Sequence, residues 1–364
     1  MTAGDIIDVH AYGEAEFLGS SPRVAPSFVD WIAAAQVAGF PLAITEWNVP
    51  PPARDRFVAP LYVASLSALQ GWDMPMLYAY QQYSVDARPN RPDQWSSSID
   101  PALTALMPAA AVMVRQGHVS RAKRTYRLEL SREQLYYQDL GPDTSATIRT
   151  LTEQSRIVIG LPDIEELDWD EQASASAASQ VVVTDVDQDF IPPGATFVES
   201  DTGELKRDWA QGVHSIDTPM SQAASGWLGR RTVALSDVVV SLQTPKASVA
   251  VTSLDSKPIS RSESMLLTTV AQITTSAGGR LPFRAEPVLG VIRIRSEHAG
   301  LCAYPVATDG QLFDPIALKT RDGVAEFVLP SGFRTHWYAI HPQSAGLCQK
   351  RARFSAAPSG SPAH

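Results

Sequence analysis

The chain predicts a mixed fold, a truncated (β/α)8-type barrel over residues 1–120 followed by an antiparallel β-sandwich over residues 121–355. Three observations predict it. Up to residue 120, short apolar runs alternate with helix-like segments, the pattern of a parallel sheet with crossover helices. After His118 the texture changes to short alternating runs separated by Gly, Pro, Asp and Ser, which indicates antiparallel sheets. Between these, the apolar run Phe40–Ile44 leads directly into Thr45-Glu46-Trp47-Asn48. A short buried strand that ends in an ionisable residue is how such a barrel presents chemistry at its C-terminal face.

The elements follow in order. Ile6 to His10 reads as a buried strand, and Phe28 to Ala35 as a helix ending near Gly39. Leu42 to Thr45 is a second strand, and Phe57 to Leu69 is apolar at helical spacing and closed by Gly71. Met74 to Tyr80 is a third strand, and Pro101 to Val114 a final helix. Thr125–Leu130, Val238–Leu242, Val249–Thr252 and Val291–Arg295 alternate as sandwich strands. Residues 162–190, rich in Asp, Glu, Ser and Ala, read as an acidic connector, and 356–364 as a disordered tail.

Composition bounds the function. At 364 residues, 44% hydrophobic and 19% charged, the chain has the makeup of an ordinary globular protein with room for two domains. A net charge of -9 argues against nucleic acid and anionic membranes as partners and is compatible with neutral sugars. No stretch reaches the roughly 20 apolar residues of a membrane span. Met1 to Asp5 shows no basic region before an apolar core, so no signal peptide is read and the expected location defaults to the cytoplasm. The two cysteines, Cys302 and Cys348, are expected to stay unpaired, with pairing across a terminal sheet as the alternative. No metal and no cofactor is expected, since neither zinc spacing nor a phosphate-binding glycine loop occurs.

The three strand ends carry the candidate site. The first delivers Asp8, His10 and Tyr12, the second Glu46, Trp47 and Asn48, and the third Tyr78, Tyr80 and Gln81. Aromatic faces stack on the apolar faces of sugar rings while polar tips bind hydroxyls, so this mixture suits carbohydrate. Ser96 to Ser98 and the pair His214-Ser215 lack the Gly-x-Ser-x-Gly elbow of a serine hydrolase. His214 reads as a strand or surface histidine. The run Asp163–Glu171 lacks the loop glycine of an EF-hand and reads as a solvated connector.

Asp8-Val9-His10-Ala11-Tyr12, Ile44-Thr45-Glu46-Trp47-Asn48 and Gln70-Gly71-Trp72-Asp73 through Tyr80 resemble strands six, seven and eight of the large clan of retaining β-glycosidases with (β/α)8 barrels. The resemblance implies that Glu46 is the nucleophile and that His10 and Tyr12 orient it or touch the sugar. The clan's usual strand-eight Trp is replaced in this region by Tyr78 or Tyr80. Asp100-Pro101 and Leu106–Ala111 resemble the last helix of large bacterial agarase- and cellulase-like enzymes. Asp217–Gln222 and Gly226–Gly229 resemble their C-terminal β-sandwich. By this resemblance the substrate is a β-linked oligo- or polysaccharide, and the alternative is a catalytically impaired remnant that binds carbohydrate or assists assembly.

Retention needs two carboxyl groups about 5–5.5 Å apart, one attacking and one protonating the leaving oxygen. The clan's acid comes from strand four, which has no counterpart before Ile6 in this sequence. Glu14 and Glu16, in the loop after the first strand, are the nearby substitutes. Three βα units do not close a barrel, so the sheet edges need covering. A homodimer sharing a composite site is the favoured expectation, and the sandwich or the connector folding over the open side is the other.

Overall fold

The computed structural model describes residues 4–14, 17–84, 90–138, 140–162, 180–329 and 335–343. Glu16, the acidic run at 163–171, Cys348 and the tail at 356–364 lie outside them.

The N-terminal part is a three-stranded parallel sheet in the order β1 (Ile7–Tyr12), β2 (Leu42–Asn48) and β3 (Met74–Leu77). Helices α1 (Phe28–Ala34), α2 (Ala59–Gln70), α3 (Pro101–Thr104) and α4 (Met107–Arg115) accompany it. Local chemistry sets their limits. The Ser27 N–H donates to Asp30 Oδ2 at 2.6 Å at the start of α1, satisfying one of the amide donors that a helix N-terminus leaves over. Gly71, at φ 74°, closes α2 and donates its N–H to Ser67 O at 2.8 Å, a left-handed cap that glycine adopts at no steric cost. Asp100 caps α3 by accepting from Ala102 N at 3.0 Å.

Along β1 the side chains alternate. Ile7, Val9 and Ala11 turn toward the helices, while Asp8, His10 and Tyr12 are exposed. In β3, Met74 and Met76 are 41% and 47% exposed. One face of the sheet is thus buried under helices and the other is open. Parallel sheets are normally covered on both faces.

Residues 125–183 correct the expected domain boundary. Thr125–Leu130 does not belong to the sandwich. It forms β4 (Thr125–Glu129), the centre of a second parallel sheet with β5 (Arg156–Gly160) and β6 (Gln180–Val183). Helices α5 (Arg132–Tyr137) and α6 (Ala146–Leu151) provide the crossover from β4 to β5. All five residues of β5 are buried, as a strand covered on both faces should be. The N–H of Ile159 donates to Gln36 O, and its carbonyl accepts from Ala38 N, which fastens this sheet to the turn after α1.

The remainder is a β-sandwich. Its nine-stranded antiparallel sheet centres on Ser221–Trp227, Lys246–Ser253 and Met265–Ala271, and its five-stranded sheet on Val238–Leu242, Gly290–Arg295 and Val324–Val328. Val249, Val251, Leu267, Ile292, Ile294, Phe327 and Ile340 fill the space between the sheets. The outer face of the large sheet is buried as well, because Ala223, Ala250 and Val270 pack into the core that includes α2 and α4. Trp337 Nε1 donates to Ala105 O at 2.7 Å across the same seam. Cys302 is disulfide-bonded, which overturns the expectation of unpaired thiols.

Two buried ion pairs lock the parts together. Arg56, just before α2, bonds both oxygens of Asp100 at 2.5 and 3.0 Å and also donates to Ile273 O of the sandwich side. Arg207 of the sandwich engages both oxygens of Glu153, after α6, and donates to Leu18 O and Ser20 O in the loop after β1.

His214 lies in the strand Val213–Asp217, but it is buried rather than at the surface, edge-on to Tyr62 at 5.1 Å. Burial, reinforced by the Arg207 guanidinium, pushes its pKa down to about 3 from 6.5. The unfolded chain therefore binds this proton at a higher pH than the folded chain. The stability gained from the neutral ring is complete above pH 6.5 and is lost as pH falls toward 3. Asp30 nearby, raised to about 7 by burial, acts in the opposite sense. The difference between wild type and His214→Phe isolates the histidine. Thermal unfolding from pH 7 to 4 should show wild type losing stability relative to His214→Phe. Parallel curves would mean that His214 gains its proton without opposing the fold.

Candidate active site

The site lies on the open face at the C-terminal ends of β1 and β2. The parallel register sets His10 beside Glu46 and Tyr12 beside Asn48, with an irregularity between Asp8 and His10. Five side chains form a connected row. Thr45 Oγ1 donates to Asp8, lying 2.7 and 2.9 Å from its two oxygens, and Thr45 N donates to Oδ1 at 3.2 Å. His10 Nε2 lies 3.1 Å from Thr45 Oγ1 and 3.6 Å from Asp8 Oδ2. Its Nδ1 lies 3.4 Å from Glu46 Oε2. The Tyr12 hydroxyl donates to that same Glu46 oxygen. The Glu46 side chain is 26% exposed, so its carboxylate is held from one side and reachable from the other.

Electrostatics assign different states to the row. The bonds from Thr45 hold the Asp8 carboxyl below the usual carboxylate range, so Asp8 is anionic near neutrality and is a poor proton donor. Desolvation first, and the bond to the Glu46 carboxylate second, raise the Tyr12 phenol well above its ordinary value. Tyr12 is therefore a fixed hydrogen-bond donor to Glu46. Asp8, through Thr45 and His10, orients the row.

An aromatic wall stands beside Tyr12, the residue that donates to Glu46. The Trp95 ring lies 4.8 Å from that of Tyr12 and 6.0 Å from that of Tyr78. Trp95 comes from the segment after β3, which is zipped onto the end of that strand. Ala79 N donates to Trp95 O at 2.9 Å, Ser97 N to Ala79 O at 2.9 Å and Ser98 N to Tyr80 O at 2.8 Å. Asp93 Oδ1 receives the N–H groups of Trp95 and Ser96 at 2.8 and 2.7 Å.

The predicted residues divide. Asp8, His10, Tyr12 and Glu46 come together, and Tyr78 joins them through Trp95. Tyr80 is 66% exposed, and Gln81 accepts from Ser98 Oγ at 2.8 Å. Glu14 is exposed in the following loop. Two expectations are corrected. Trp47 is 2% exposed and faces the helices, lining an apolar cavity of about 210 Å³ with Pro60, Val63 and Met107. Beyond the register irregularity in β2 side chains alternate again, so with Glu46 on the open face Trp47 is directed into the helix layer. Asn48 is 1% exposed and donates to Tyr78 O at 2.5 Å, tying β2 to β3 instead of reaching a ligand. Sequence reasoning missed Thr45 as the hub of the row, and it missed Trp95. The Asp93-x-Trp95-Ser96 turn was the available signal for the latter, since Asp commonly accepts from backbone N–H groups two residues on.

Fold and site together define an α/β protein with an attached β-sandwich and a solvent-open row of carboxylate, imidazole and phenol at the parallel strand ends. No family model, curated protein or solved structure matches the chain.

Proposed function

We propose that the three N-terminal βα units correspond to the last three of a (β/α)8 barrel and that the chain hydrolyses β-linked glycosides with retention, Glu46 being the nucleophile. The observation that carries this reading is the Glu46 carboxylate near a strand end, with one oxygen bonded by the Tyr12 hydroxyl and 3.4 Å from His10 Nδ1, and with the Trp95 ring against Tyr12. In this chemistry the carboxylate attacks the anomeric carbon as the aglycone oxygen departs with a proton, and water then cleaves the glycosyl ester. The acid is not Asp8, which is anionic and bound to Thr45. It comes from whatever covers the open face.

A second copy is the proposed cover, since among the described residues the outer edges of β1 and β3 carry no further strand of the sheet and Asp8, His10, Met74 and Met76 are exposed. Light scattering should then report twice the 39.4 kDa chain mass; a monomer at all concentrations removes this arrangement. The competing reading, a remnant that binds sugar without cleaving it, is favoured by one observation: among the described residues the only other carboxyl in the Glu46 row is Asp8, which is bound to Thr45. A panel of aryl β-glycosides with wild type and Glu46→Ala decides between them. Turnover lost in the variant supports the hydrolase, and no turnover by either protein supports the remnant.

A further inference from the structure

A second cleft, of about 340 Å³, opens where three segments meet. Gly19 and Ser20 come from the loop after β1, Asp55 from the turn before α2, and Gly212, Gly226 and Trp227 from the sandwich. Its floor is fixed by the glycines. Gly226 has φ 111°, and a Cβ there would sit 2.0 Å from Gly212 O. Gly212 has φ 64°, and a Cβ there would sit 2.7 Å from Trp227 Cδ1. Glycine at both positions lets the backbone and Trp227 pack closely together, which fixes the floor beneath the cleft.

The walls are chemically mixed. Trp227 is 48% exposed. Lys246 Nζ lies 4.2 Å from the centre of its ring and 2.9 Å from Asp55 Oδ2. The Lys246 and Asp55 side chains are only 16% and 14% exposed. Their charges compensate each other, so a ligand of either sign would disrupt a largely desolvated pair. What the cleft offers is an indole surface, a neutralised set of donors and acceptors, and the Ser20 hydroxyl. That combination recognises a neutral ring with an apolar face and a rim of hydroxyls.

We propose that this cleft binds one unit of a neutral oligosaccharide, at a site separate from the Glu46 row. The choice of ligand class rests on the carbohydrate reading above; the cleft itself does not. Isothermal titration with cellotetraose and xylotetraose, on wild type, Glu46→Ala, Trp227→Ala and Gly19→Phe, tests it. Gly19→Phe is the blocking variant that spares the core, because a Cβ at that position meets nothing nearer than Trp209 O at 4.0 Å.

The expected result is binding in wild type and Glu46→Ala. One binding component should be lost, or weakened at least about tenfold, in both Trp227→Ala and Gly19→Phe, a change of about 1.4 kcal/mol. Thermal unfolding checks that each variant is folded, and Gly19→Phe alone decides if Trp227→Ala is not. Unchanged binding in a folded cleft variant, or no binding of either saccharide by wild type, overturns the proposal. The two readings fail separately. Binding that depends on Trp227 without hydrolysis keeps the cleft and sinks the hydrolase. Hydrolysis with binding indifferent to Trp227 does the reverse.

Discussion

Glu46→Ala is expected to lower kcat for 4-nitrophenyl β-glycosides by about 10⁴–10⁶-fold, the range seen when a covalent nucleophile or its activating partner is removed. The loss should fall on kcat more than on KM, because a nucleophile acts on the reacting carbon and not on the rest of the sugar. Added azide gives a stereochemical check. In the alanine variant the azide occupies the vacated space, forms a bond to the anomeric carbon as the phenolate leaves, and yields the α-glycosyl azide. Tyr12→Phe is the milder companion. It deletes the hydroxyl that donates to Glu46 and, at about 1.5–3 kcal/mol for a hydrogen bond to a charged group, should cost roughly 10–100-fold. Turnover that survives Glu46→Ala without azide would place the nucleophile elsewhere.

Arg207→Met is expected to destabilise the fold by about 3–5 kcal/mol, because it leaves the Glu153 carboxylate buried without its cation. The two side chains are 3% and 5% exposed, so little water is at hand to replace the lost bonds. The same substitution frees the carbonyls of Leu18 and Ser20, which loosens the loop after β1. The double variant Arg207→Met, Glu153→Leu should recover most of the loss, since exchanging a buried pair for apolar residues of similar size is often close to neutral. Urea unfolding midpoints measure both. A single variant costing less than about 1 kcal/mol would put this pair in the class of exposed ion pairs.

Much of the N-terminal fold was legible in sequence. Strand and helix periods differ, Gly71 marks the end of α2, and Asp100-Pro101 opens α3. The second parallel sheet was not legible. Thr125–Leu130 alternates like a half-exposed antiparallel strand, and its observed pattern is indeed half-buried. Only its pairing with the fully buried Arg156–Gly160 shows the parallel arrangement, and pairing is a long-range property. At the site, His10, Tyr12 and Glu46 could be named because each lies near the end of a strand, and Asp8 because it precedes them on the same alternating face of β1. Trp47 was misassigned because adjacency in sequence was taken for a shared face, and the pleat of β2 separates it from Glu46; Asn48 was misassigned because its amide is spent on Tyr78 O, a contact far away in sequence. Trp95 went unnoticed because it follows β3 by many residues and reaches Tyr12 only through the hydrogen bonds that fold its segment back.

By itself, the sequence determined which residues end the parallel strands and that an ionisable one, Glu46, is among them, because hydrophobic period and strand length are local. Tertiary structure alone decided which face each of those residues serves, that Asp8 is bound to Thr45, and that Trp95 stands against Tyr12. It also decided that the sandwich closes a glycine-floored cleft around Trp227. Those outcomes depend on register and on contacts between residues far apart in the chain, and no local pattern encodes either.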